Sequence, residues 1–84
     1  MYKIFTDFNA RTPDGVCWIL YYGDESIDQL ISSLKLKTGD TIILYQDEDD
    51  FEVEAMIDFR FVPILSREAW VAVPDWSTLV RSAG

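Results

Sequence analysis

Apolar positions along the chain follow two periods, and the sharper of them lies in residues 51–60, FEVEAMIDFR. There Phe51, Val53, Ala55, Ile57 and Phe59 fall on one side, and Glu52, Glu54, Met56, Asp58 and Arg60 on the other. A period of two is that of a strand with one face on a core. Residues 2–8, YKIFTDF, read as a strand rich in aromatic and β-branched residues, ended by a turn at Pro13-Asp14-Gly15. Residues 16–22, VCWILYY, are apolar throughout, which predicts a central strand covered on both faces and paired with the first in a wide hairpin. The period then changes: Ile27, Leu30, Ile31 and Leu34 form one helical stripe over two or three turns. Ser26 with Gln29 resembles a capping box, with acids at the start of this helix and Lys35 and Lys37 at its end. Residues 36–44 pass through a Gly39-Asp40 turn into a third strand. Residues 61–65 are interrupted by Pro63, residues 70–73 form a last strand, and Asp75 caps a short turn before a polar tail that is expected to fray.

The elements amount to a mainly β fold with a minor helical part. We expect a small curled antiparallel sheet, or an SH3-like partly open barrel, of about five strands with one short helix, in a single domain spanning residues 1–84. The phrase Leu36-Lys37-Thr38-Gly39-Asp40-Thr41-Ile42-Ile43-Leu44 is similar to one found in SH3-like and related small barrels. That resemblance covers residues 36–60; it implies a fold and transfers no site residues.

The pairing of the third and fourth strands can be written out. If Asp47 and Asp50 face each other across the turn, Tyr45 faces Glu52, Leu44 faces Val53, Ile43 faces Glu54, Ile42 faces Ala55 and Thr41 faces Met56. One face, Ile42, Leu44, Phe51, Val53 and Ala55, is then core. The other carries Ile43, Tyr45, Glu52, Glu54 and Met56, with Asp49 and Asp50 at the tip. Two fates for this face stay open: cover by the helix or the last strand, or use as a docking surface for another protein.

Charge sharpens the second fate. The 84 residues carry a formal net charge of -8, and seven acids fall between Asp47 and Asp58 before any basic residue intervenes. Such a surface repels nucleic acid and anionic lipid, so we expect no direct nucleic-acid partner and no membrane binding. A basic protein, or a second copy of the chain, is the expected partner. With 49% hydrophobic residues the chain is too apolar to be disordered. The start MYKIFTDF lacks a secretory pattern, and Cys17 as the lone cysteine fits a reducing compartment, so a cytoplasmic location is expected.

Candidate chemistry is sparse. Asp47, Asp49 and Asp58 occupy positions 1, 3 and 12 of a calcium-loop count, but Phe51 and Glu52 stand at positions 5 and 6, where a ligand and the turn glycine belong. We therefore expect no metal and no cofactor. The chain has no histidine, which removes Ser-His and Cys-His nucleophiles. Glu52 and Glu54 lie on one strand side, but a carboxylate pair needs burial and a cleft to split its pKa values. The expected function is a small acidic, non-enzymatic protein-binding or regulatory module; the alternatives are a structural or self-associating homodimeric domain and, more remotely, a carboxylate-based enzyme.

Overall fold

The computed structural model of the protein describes residues 1–46 and 51–81. Among the described residues the strands are β1 (Lys3–Phe5), β2 (Tyr21–Tyr22), β3 (Glu25–Ser26), β4 (Thr41–Tyr45), β5 (Phe51–Val62), β6 (Arg67–Pro74) and β7 (Val80–Arg81). One helix, α1 (Ile27–Leu30), and 3-10 turns at Pro63–Leu65 and Trp76–Thr78 are the other elements among the described residues. The strands make one sheet in the order β3-β2-β1-β4-β5-β6, with β7 paired to β5 off that path. The sheet curls into a half-barrel, as the mainly β reading anticipated. It is mixed, because β1 runs parallel to β4.

The β4–β5 register is the expected one, from Thr41 opposite Met56 to Tyr45 opposite Glu52. A slip of one residue would turn Ile42, Leu44, Val53 and Ala55 out to water, and all four lie fully buried in the main core cluster. Burying a Leu or Ile side chain contributes about 1.5–3 kcal/mol, so these positions fix the register together.

Residues 16–22 do not form a full strand. Cys17 bridges Ala72 of β6 through a reciprocal pair of backbone hydrogen bonds, each 2.9 Å, and the segment then leaves β6 to become β2 on the far side of β1. The run is buried at its start on both sides: Cys17 points into the main cluster with Ile4, Ile42 and Leu44, and Val16 into a second cluster with Val62, Ala69 and Val71. It surfaces at Tyr21 and Tyr22, which pair Phe5 and the short strand β3.

The helix is shorter than its stripe. Ser26 caps α1 by accepting a hydrogen bond from the Asp28 N–H at 3.4 Å. After Leu30 the chain closes in turns: the Leu36 N–H donates to the Ile31 carbonyl and the Lys35 N–H to the Ser32 carbonyl, with Lys35 left-handed at φ 56°. This is a Schellman termination. Ser32 and Ser33, poor interior helix residues, precede it. The stripe still does its work, since Ile27 is buried and Ile31 and Leu34 pack against the main cluster.

The β5–β6 hairpin departs from the expected pattern at its far end. β5 runs unbroken to Val62, Pro63 opens the connecting turn rather than breaking a strand, and Ser66 closes it at φ 54°. Phe59, expected on the core face, is 44% exposed and lies against Trp70 with ring centroids 5.0 Å apart. The hairpin reaches past the barrel, so the inward side of its end meets solvent while the opposite side is buried under Val16, Trp18 and Leu65. Beyond Pro74 the partner of β5 is interrupted. From Ala55 to Glu52 β5 advances three residues while the facing chain advances six, from Pro74 to Val80, so three residues bulge out. The bulge carries the Asp75-capped turn, where Trp76 closes one end of the barrel against Phe8 and Phe51, under the Arg11 guanidinium at 5.7 Å.

Lys35 holds a backbone conformation that disfavours any residue with a Cβ. Lys35→Gly is expected to raise stability by about 0.5–1 kcal/mol in thermal or urea unfolding, the relief of the left-handed strain outweighing the added freedom of the unfolded chain. An unchanged or lowered midpoint would show that this helix end is not set by the left-handed residue.

Candidate functional site

With Ile42, Leu44, Val53 and Ala55 turned inward, strand alternation places Ile43, Tyr45, Glu52, Glu54 and Met56 together on the outer face of the sheet. The parallel β1 and the returning β7 extend that face into rows. Phe5, Tyr45, Glu52 and Val80 form one row, Lys3, Ile43 and Glu54 the next, and Thr41, Met56 and Val73 a third. Phe5 and Tyr45 meet edge to face at 6.0 Å. Of the predicted residues, Asp49 and Asp50 lie outside the described residues; the other five share this one face.

The helix does not cover it. Ile27 of α1 is buried with the inward residues, and α1 packs on β2, β3 and β6. Met56 is 44% exposed, and Ile43 and Tyr45 are half-buried. The last strand lies beside the face rather than over it: the Glu54 N–H donates to Thr78 Oγ1 at 2.8 Å, and the Glu54 carbonyl accepts from the Asp75 N–H at 2.9 Å. This leaves a shallow groove of about 230 Å³ lined by Met1, Ile43, Glu52, Glu54, Thr78 and Val80.

The two glutamates differ in charge environment. The Lys3 ammonium lies 2.7 Å from Glu52 Oε2, whereas Glu54 makes no ion pair among the described residues. Asp58 is engaged elsewhere, 2.7 Å from Arg60, whose guanidinium also lies 3.6 Å from Asp14. The side-chain hydrogen bond from Arg60 holds the Asp58 carboxyl below its ordinary value, with burial opposing it and the Phe59 N–H assisting. Asp58 therefore belongs to an extended strand and an arginine pair, which is incompatible with the last ligand of a calcium loop. No three His, Cys, Asp or Glu side chains converge among the described residues. Cys17 is fully buried, and burial pushes its thiol up, a rise that the neighbouring Thr6 hydroxyl partly offsets.

Lys3, Met1, Thr78 and Val80 complete the face without having been legible as part of it. Lys3 and Met1 arrive through the parallel β1–β4 pairing, which has no local turn signal, and Thr78 and Val80 through the three-residue bulge.

No protein-family model, curated protein or solved structure matches the chain. No helix among the described residues is long and apolar enough to cross a membrane.

A carboxylate whose pKa is depressed in the folded state contributes stability above its unfolded value and loses it as pH falls through the folded one. Asp58 is expected to titrate below 3.8 in the folded protein, and Arg60→Gln to return it toward that value, read by carboxyl chemical shifts against pH. The variant should then lose less stability on acidification than wild type over the range below pH 3.8. Identical titration in the two proteins would contradict the assignment of the shift to Arg60.

Proposed function

We propose that the protein is a small non-enzymatic binding or regulatory module of the cytoplasm that docks a basic partner protein through the outer face of β4 and β5. The observation that carries this reading is the combination of exposed Met56 and half-buried Ile43 and Tyr45 with Glu54, a carboxylate without an ion pair among the described residues. An apolar centre with a charged rim is the anatomy of a protein interface. The net charge of -8 adds long-range steering toward a basic surface. A chain without histidine, whose paired glutamates border a shallow groove, favours recognition over bond chemistry.

Affinity purification on the immobilised protein at about 50 mM salt is expected to retain a basic protein whose affinity falls steeply by about 200 mM, where the screening length is shorter. Glu52→Gln combined with Glu54→Gln is expected to slow its association several-fold, as loss of rim charge does. Salt-independent binding, or an unchanged association rate in the double variant, would overturn the reading.

A second reading, self-association, is favoured by one observation: Phe61 at 58% and Ile64 at 67% exposure form an apolar end on the β5–β6 hairpin. Light scattering decides it, since a concentration-dependent dimer abolished by Phe61→Ser supports that reading and a monomer at high concentration removes it.

A further inference from the structure

The groove beside Ile43 has a shape and a charge pattern that narrow the kind of side chain it takes. Its apolar lining comes from Met1 and Ile43 on the β4 side and from Val80 of β7, and the carboxylates of Glu52 and Glu54 on β5 stand between them. Two residues apart on one strand face, these carboxylates project from backbone positions about 6.5–7 Å apart. A long side chain with an apolar stem and a cationic head suits such a site, the stem on the apolar lining and the head at the acids.

The chain itself shows what one of those acids accepts. Lys3, held in the adjacent row by the β1–β4 pairing, sets its ammonium 2.7 Å from Glu52 Oε2. An ammonium gathers its three donors on one nitrogen, whereas a planar guanidinium spreads five donors over a fork that reaches two separated carboxylates with good geometry. Glu54, without an ion pair among the described residues, supplies the second acceptor.

We infer that the groove receives an arginine side chain from the basic partner, its stem on Ile43 and Val80 and its guanidinium shared between Glu54 and Glu52, with Lys3 as the chain's own competitor for Glu52. The inference rests on the docking reading above and names the chemistry that the face selects. Charge complementarity chooses the occupant: a net charge of -8 favours a cationic residue, and the spacing of the carboxylates favours arginine over lysine.

The test uses the full chain with two probes, hexa-arginine and hexalysine peptides, titrated calorimetrically at about 50 mM salt. Wild type is expected to bind hexa-arginine about tenfold more tightly than hexalysine, the advantage of bidentate over point-charge pairing. Glu54→Gln should remove most of that preference. Lys3→Met should strengthen hexa-arginine binding several-fold by releasing Glu52, an effect that a merely general loss or gain of surface charge would give equally to hexalysine. Glu25→Gln, an exposed acid of β3 at the other end of the sheet, should leave the preference intact. Equal affinity for the two peptides, unaffected by Glu54→Gln, would overturn the arginine assignment while leaving salt-dependent docking of a basic partner standing. Failure of both peptides to bind would overturn the docking reading as well.

Discussion

The reciprocal hydrogen bonds between Cys17 and Ala72 are the contact on which the rest of the architecture depends. They join the far edge of β6 to the segment that becomes β2, and so bring the two ends of the sheet together. Both side chains are small and fully buried in the main cluster, which lets the two backbones meet over a crowded interior. Each backbone bond contributes only about 0.5–1.5 kcal/mol net, so the seam owes its strength to the core that it encloses. Thr6 shows how tightly the seam is drawn. Its hydroxyl is fully buried beside the Cys17 thiol, near enough to oppose the thiol's rise in pKa, yet makes no hydrogen bond of good geometry.

Closure at one side of the barrel determines what is left open on the other. With the sheet curled inward around Ile4, Ile42, Leu44, Val53 and Ile57, and with α1 on the inner side, no element among the described residues lies over the outer face of β4 and of β5 from Glu52 to Met56, while Val16, Trp18 and Leu65 cover that side at the far end of β5 and β6. What reaches that face comes from its borders: Lys3 neutralises Glu52, while Met1 and Val80 wall the groove. The acidic character of the chain is thus partly spent internally, on Lys3 and on the Arg60 pairs with Asp58 and Asp14, and Glu54 is the carboxylate of this face without an ion pair among the described residues.

Much of this was legible in the sequence, for local reasons. The β4–β5 register followed from two alternating segments about one turn, and Ser26 and Asp75 announced their caps because capping is a short-range chemistry. The five outer residues Ile43, Tyr45, Glu52, Glu54 and Met56 followed from the same alternation. The parallel pairing of β1 with β4 did not, since a parallel pair is joined by a distant crossover and carries no turn signature. Lys3 as the partner of Glu52 was hidden for the same reason. Parity alone puts Phe59 on the core side, and parity fails where a strand of 12 residues outruns the core it was built on. The continuous apolar run at residues 16–22 reported burial on both sides at Val16 and Cys17, but not that the segment would touch β6 once and cross to β1.

A single backbone pair draws the edge of β6 to the segment before β2 in the half-barrel, with the outer face of β4 and β5 left uncovered among the described residues. Amide hydrogen exchange tests it most directly, because protection reports the opening of individual hydrogen bonds. The amides of Cys17 and Ala72 are expected to exchange as slowly as those of the β4–β5 core, while Trp70, two residues along the same free edge of β6, exchanges fast. Exchange at Cys17 and Ala72 as rapid as at Trp70 would contradict the seam that holds the half-barrel's curl.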